Sequence, residues 1–359
     1  YVQALNDLGD LYFNGELAPK HMGKAYEYFL KASQNGSGYG SYSCGFILMK
    51  GSSDIPRDIE KGLSMFRLAV EQNYKAATRD LARYYYSLET EEDNRKALDY
   101  YLQYIEYNPK DTDTLLHIGL IYESGLGVPL NIDLARRYYE RAAEQDETGM
   151  AYNFLGGTYM NDEETESNER KAVHYFQKAI ELGNTNAMFR ISYYLHNGKG
   201  GLQVDIPREI ELLTEASKRG NHQATYRLGL LFEDNESGMA QNLELSVKYF
   251  QLAADNGILA AINKMGELYL FGEVIPANLT KAISCFTAAS EQGYGKASYW
   301  LGRLHTDGIG QLEKDTQKAM NYYRKAIEQG YEEAREWMEQ LQKNLVDETI
   351  TDIEIPQDK

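Results

Sequence analysis

The stretch Ala261 to Gly293, AINKMGELYLFGEVIPANLTKAISCFTAASEQG, decides the fold. Ala261, Met265, Gly266 and Tyr269 are spaced so that they share one side of a helix, the apolar stripe that a helix buries. Six residues after Gly266 stands Gly272, a residue type that adopts the left-handed conformation closing a helix without a Cβ clash. Beyond a short loop, Phe286 precedes Ala289 by three on a second helical stripe, and Gly293 ends it. Large residues set against small ones at matched levels let two helix backbones approach and interlock as an antiparallel hairpin.

The hairpin recurs along the whole chain. The small residue at Gly266 has counterparts at Gly9, Gly45, Ala82, Gly119, Gly156, Ser192, Gly229 and Gly302, at intervals of 36 or 37 residues. Around each small position the same neighbours return: Leu8, Leu81 or Ile118 one before, Tyr12, Tyr85 or Tyr122 three after, Ala77, Ala151 or Ala187 five before. The second helix repeats as Phe29 and Ala32, Phe66 and Ala69, Tyr139 and Ala142, Phe176 and Ala179, Leu213 and Ala216, Phe250 and Ala253, Tyr323 and Ala326. Stops recur at Gly15, Gly51, Gly125, Gly198 and Gly308, with Asn235 in the seventh copy, and after the second helix at Gly36, Asn73, Gly183, Gly220, Gly257 and Gly330. The 31 glycines are therefore largely structural punctuation and no argument for a phosphate loop. Nothing with a strand period competes.

The pattern Ala-x-x-x-Leu-Gly-x-x-Tyr-x-x-Gly, then Lys-Ala-x-x-x-Phe/Tyr-x-x-Ala, then Gly, resembles the Sel-1-like repeat, a relative of the tetratricopeptide repeat. The resemblance implies an all-α chain, a right-handed α-α superhelix (solenoid) of about nine helix-turn-helix repeats. The expected repeats are 1–38, 39–74, 75–111, 112–148, 149–184, 185–221, 222–258, 259–294 and 295–330, with a capping helix over 331–343. A flexible acidic tail is expected over 344–359, where Asp347, Glu348, Asp352, Glu354 and Asp358 stand.

Three repeats depart from the pattern. The third has Ala82 for glycine, Leu88 at the loop stop, Tyr104 where alanine is expected, and ends in Asn108-Pro109. The fifth carries the acidic run Asn161 to Glu166, and the sixth a longer loop through Lys199, Gly200, Gly201 and Leu202. Such insertions map to one rim of a solenoid, as solvated slack or as partner contacts.

Composition narrows the function. A net charge of −17 and a pI near 4.9 repel phosphate backbones and anionic lipid, and no basic patch offsets them, so nucleic acid is not an expected partner. No apolar run reaches the about 18 residues needed to span a bilayer. The chain opens at Tyr1, without methionine and already inside a helical stripe, as though a leader or domain had been removed, and the compartment stays open between cytoplasmic and lumenal or secreted. Cys44 and Cys285 lie six repeats apart, too far for a disulfide, and both are expected as buried free thiols. Three sequons, at Asn35, Asn235 and Asn278, leave glycosylation undecided.

No catalytic constellation appears. His21, His117, His174, His196, His222 and His305 include no pair at the spacing of a helical zinc site, and His305 takes the place of the repeat tyrosine. Lys199-Gly200-Gly201 lacks the form of a phosphate loop, and no Gly-x-Ser-x-Gly elbow occurs. The expectation is a non-enzymatic chain without cofactor or metal.

In related tetratricopeptide arrays the first helices line the concave side, with residues three before, one after and four after the small position facing the groove. Carried over by position, this implies a partner-binding surface of Tyr42, Phe46 and Met49, Arg79, Arg83 and Tyr86, and Leu116 and Leu120 with Glu123. Further along it takes in Phe189, Tyr193 and His196, Tyr226 and Leu230 with Glu233, and Tyr299 and Arg303. A solvated face would hold Lys, Glu and Gln, whereas this one is rich in aromatic and apolar groups. The alternative is that these side chains pack against the next repeat. Arg79 and Arg83 share a face at i, i+4 and could hold an acidic ligand or pair with Asp80 and neighbouring acids. The expected function is a scaffold or adaptor holding a protein or peptide along the groove. The resemblance also implies other settings: a regulatory or substrate-recruiting subunit of a larger complex, such as an ER-associated ubiquitin ligase, or a secreted bacterial protein acting on host cells.

Overall fold

The computed structural model describes residues 1–15, 19–234, 241–309 and 312–351. The stop and sequon at Asn235 lie outside them, as does the end of the acidic tail, 352–359. The described residues form 19 α-helices and no strand.

The chain divides into two compact units, Tyr1–Asn184 and Thr185–Lys359. In the first, A helices α1 (Val2–Asn14), α3 (Gly38–Lys50), α5 (Ala76–Tyr86), α7 (Thr112–Ser124) and α9 (Met150–Met160) alternate with B helices. These B helices are α2 (Met22–Gln34), α4 (Ile59–Glu71), α6 (Glu91–Tyr107), α8 (Ile132–Ala143) and α10 (Glu166–Glu181). In the second unit the A helices are α11 (Thr185–Asn197), α13 (His222–Glu233), α15 (Leu259–Phe271) and α17 (Gly295–Asp307). The B helices are α12 (Ile206–Lys218), α14 (Leu243–Asp255), α16 (Leu279–Glu291) and α18 (Thr316–Glu328), followed by α19 (Ala334–Thr351). Within each unit every helix packs on the one before it and the one after it. The helix of the expected cap thus continues to Thr351, into the segment read from sequence as tail.

The small position exists because a ring lies on it. A Cβ added at Gly266 would stand 2.6 Å from the fully buried Phe286 ring, and one at Gly302 the same distance from Tyr323. The recurring aromatic three residues later stacks on the residue just before that ring. Tyr12 lies 5.7 Å from Tyr28, Tyr85 5.8 Å from Tyr100, Tyr159 5.7 Å from Tyr175, and Phe232 5.7 Å from Tyr249, each nearly parallel. The lysine of the Lys-Ala motif lies over the recurring ring, stacked or not: Lys24 is 5.1 Å from the Tyr12 centroid, Lys171 5.0 Å from Tyr159 and Lys281 5.1 Å from Tyr269. His305 occupies this position in the last repeat and stacks 5.7 Å from Tyr322. Burial, reinforced by Lys318, pushes its pKa down.

Caps place the hairpins in register. Asp58, Asn131, Asn278 and Asp315 each accept a bond from the backbone N–H three residues on, at 2.9–3.0 Å. Gly272 closes α15 at φ 70, and in the third repeat, where Leu88 replaces the glycine, Glu89 takes the left-handed conformation at φ 57. Both cysteines are free, but burial differs from the sequence expectation: Cys44 is buried and Cys285 half-buried. Burial pushes the Cys44 thiol up to about 12 and raises that of Cys285 as well.

Candidate polypeptide-binding face

The three groove positions of each A helix behave differently. The residue three before the small position pads the B-helix ring of its own repeat. Tyr42 stacks 5.3 Å from Phe66, Tyr226 lies 5.6 Å from Phe250, and Tyr299 lies 6.1 Å from Tyr323. Leu116, at the same level, is 6% exposed and belongs to the core. At the residue one after the small position, two rings stay open: Phe46 is 40% exposed and Tyr193 41%. Among four-after residues, Met49 packs on α4, where a Cβ at Gly62 would meet its Cγ, and Tyr86 sets its ring edge-on to His117 at 5.3 Å. Leu120, Phe189 and Leu230 are half-buried.

The sequence reading missed the position two before the small residue, which pads the ring of the preceding repeat. His117 lies 5.2 Å from Tyr101, Phe154 5.3 Å from Tyr139 and Trp300 5.9 Å from Phe286. Each of these rings is thus covered from the following repeat, a contact between neighbours that period alone does not reveal.

Polar bridges tie successive A helices together in a regular register. The residue one after the small position meets the residue six before the next one. Arg83 donates to Asp113 at 2.6 Å, Lys296 sits 2.7 Å from Glu267, and the Tyr39 hydroxyl donates to Asp10 at 2.6 Å. Arg79 reaches Asp111 at 3.5 Å, while Asp80 accepts from the Tyr42 hydroxyl at 2.7 Å. Both arginines therefore pair with acids at the start of α7, its N-cap Asp111 and its first-turn Asp113, and not with Asp80. Half-exposed pairs of this kind contribute under about 1 kcal/mol each. Arg303 lies 3.8 Å from the Trp337 centroid on α19 and donates to the Tyr299 hydroxyl at 3.1 Å.

One buried charge breaks the repeat. Four residues before the B-helix ring the chain has Ala25, Gly62, Ala97, Ala135, Ala172, Ser246, Ala282 and Ala319, but Glu209 in the sixth repeat. Its side chain is fully buried, accepts from His196 Nδ1 at 2.9 Å, and accepts from Arg227 at 3.1 Å. Ser192 and Leu213 stand where most other repeats have glycine and a ring. His196, expected on the groove, is thereby committed to a hydrogen bond with the buried Glu209.

Among the described residues no cluster of three or more His, Cys, Asp or Glu side chains could hold a metal ion, and no helix is long and apolar enough to cross a membrane.

Nine stretches match the Sel1 repeat: 2–37, 39–74, 75–103, 114–147, 149–184, 185–221, 222–258, 259–294 and 295–331. The chain belongs to the Sel1 repeat family, whose members are non-enzymatic repeat scaffolds that generally act in protein interactions. It is similar to the Sel1-repeat-containing protein YjcO of Escherichia coli K12, 33% identical over 78 residues, which are 21% of this chain and 34% of that protein. Protein sel-1 homolog 2 of Rattus norvegicus is 40% identical over 70 residues, 20% of this chain and 10% of that protein. The match thus spans about a third of the first relative's length and a tenth of the second's. A Sel1 repeat protein from Oxalobacter formigenes shares the fold, with a TM-score of 0.66 at 24% identity over 88% of this chain and 90% of that one.

Proposed function

We propose that the chain is a non-enzymatic scaffold that holds a polypeptide against its A-helix face. The observation that carries this reading is the exposure of aromatic rings at one register position, Phe46 in the first unit and Tyr193 in the second, among neighbours that are packed or paired. A ring left open beside filled ridges is the type of anchor that dominates interfaces, because burying it on binding removes large apolar area from water at little conformational cost. The half-buried Tyr42 and Leu120 extend this face in the first unit, and Phe189, Tyr226 and Leu230 extend it in the second. Arg79 and Arg83 supply a polar rim in the first unit and Arg303 one in the second, and their present partners compete with any acidic ligand.

The test is capture by the intact chain and by the Phe46→Ala, Tyr193→Ala double variant, compared by mass spectrometry. The reading expects specific polypeptides to drop out with the variant while its melting curve stays within a few degrees of the parent. Unchanged capture, or a large loss of stability showing the rings to be core, would contradict it.

A further inference from the structure

Between α1 and α3 the A-helix face sinks into a pocket of about 210 Å³. Its walls are the rings of Phe13, Phe29, Tyr39, Tyr42 and Phe46, and the carboxylate of Asp10 stands among them. Phe13 and Phe46 meet edge to face at 6.1 Å, and Phe29 and Tyr39 likewise at 5.9 Å, so the walls are braced against each other. Phe46 is the exposed member, while Asp10, Phe13, Tyr39 and Tyr42 are half-buried.

The polar bridges single out this pocket. At two other junctions the contact between the residue one after a small position and the residue six before the next is an ion pair, Arg83 with Asp113 and Glu267 with Lys296. Here the carboxylate is present and the cation is not. Asp10 Oδ1 accepts the Tyr39 hydroxyl, and its other oxygen has no hydrogen-bond or ion-pair partner among the described residues. Both wall tyrosines donate their hydroxyls to carboxylates, Tyr39 to Asp10 and Tyr42 to Asp80. Donation of that kind pushes electron density into the ring and strengthens the attraction of its face for a cation. Lys20, 5.6 Å from the Phe13 centroid and not paired with Asp10, already exploits one of these rings.

We propose that this pocket receives one basic side chain, lysine or arginine, of the polypeptide bound on the A-helix face, an inference that rests on the function proposed above. An apolar occupant would seal the unpaired Asp10 oxygen against hydrocarbon, which is unfavourable, whereas a cation satisfies it and meets the ring faces at the same time. The strongly acidic chain, at −17, attracts such a partner over distance.

The test is saturation-transfer NMR on the full chain with two probes, acetyl-Gly-Lys-Gly-amide and the same peptide with norleucine in place of lysine, at low salt. The lysine peptide is expected to bind at least about tenfold more tightly than its uncharged isostere. Asp10→Asn, whose amide oxygen still accepts the Tyr39 hydroxyl, brings the two within about twofold at an unchanged melting temperature, because the charge-assisted bond is lost and the apolar walls remain. Phe46→Ala weakens the lysine peptide. If norleucine binds as tightly as lysine, the pocket is an apolar anchor: the inference falls and the polypeptide-binding reading stands. Lysine-peptide binding indifferent to Asp10→Asn would be general attraction to an acidic chain, and no binding of either probe at about 10 mM means no receptor. Either outcome overturns the inference, while the capture experiment decides the broader reading separately.

Discussion

Arg227→Met and Glu209→Ala delete the same contact from opposite ends, yet their costs should differ severalfold. Glu209 is fully buried, whereas the side chains of Arg227 and His196 keep 28% and 29% of their surface in water. Removing Arg227 strands a buried carboxylate with a single histidine donor, a loss of about 3–5 kcal/mol. Removing the glutamate leaves the Arg227 and His196 side chains, both part-exposed, free to turn to solvent, and the remaining cost is the partly collapsed space, about 1–2 kcal/mol. Converting the repeat to the pattern of its neighbours, Ser192→Gly with Glu209→Ala and Leu213→Phe, refills that space with a ring and should return stability to the parent value or above it. Hydrogen exchange of the α12 and α13 amides reads this locally in a repeat array. At about 1.4 kcal/mol per factor of ten, Arg227→Met should speed exchange there by about two to three and a half orders of magnitude, and Glu209→Ala by about one. Equal effects of the two single variants, or a triple variant weaker than Glu209→Ala, would refute the reasoning that burial of the carboxylate sets the cost.

Three further expectations follow from the packing. Gly266→Ala drives a methyl into the Phe286 ring, and overpacking of this kind costs about 1–3 kcal/mol, read as a lower urea midpoint at unchanged slope. His305, whose pKa is depressed by burial and then by Lys318, binds its proton more readily unfolded than folded, so it withdraws stability as pH falls below the ordinary histidine value of 6.5. His305→Tyr should therefore flatten the fall in melting temperature between about pH 7 and 5, and an unchanged slope would contradict the assignment. Iodoacetamide at pH 8 should alkylate half-buried Cys285 well before buried Cys44, and mass mapping that finds Cys44 first would show the second repeat to be open.

The periodic part of this fold was legible because it obeys strict sterics. A ring at Phe286 demands glycine at Gly266, and a helix that must turn back demands a residue tolerant of positive φ at Gly272. Contacts between repeats were less legible, since their partners lie about 30 residues apart and change chemistry from copy to copy. Tyrosine with aspartate, arginine with aspartate and glutamate with lysine all fill one register. The groove positions transferred unevenly for the same reason: Phe46 and Tyr193 are open, while Leu116 is core and His196 is drawn into the Glu209 network. Glu209 itself had a signal in the sequence, the one charged residue in a column of alanine, glycine and serine, but its partners there required the fold.

The central claim, that the A-helix face grips another polypeptide, is tested most directly by a photoreactive benzoylphenylalanine placed singly at Phe46, at Tyr193, and at Leu252, which is exposed on B helix α14. The account predicts crosslinks to the same polypeptide partners from Phe46 or Tyr193 and none from Leu252. Crosslinks arising from Leu252 while both A-helix positions stay silent would contradict it.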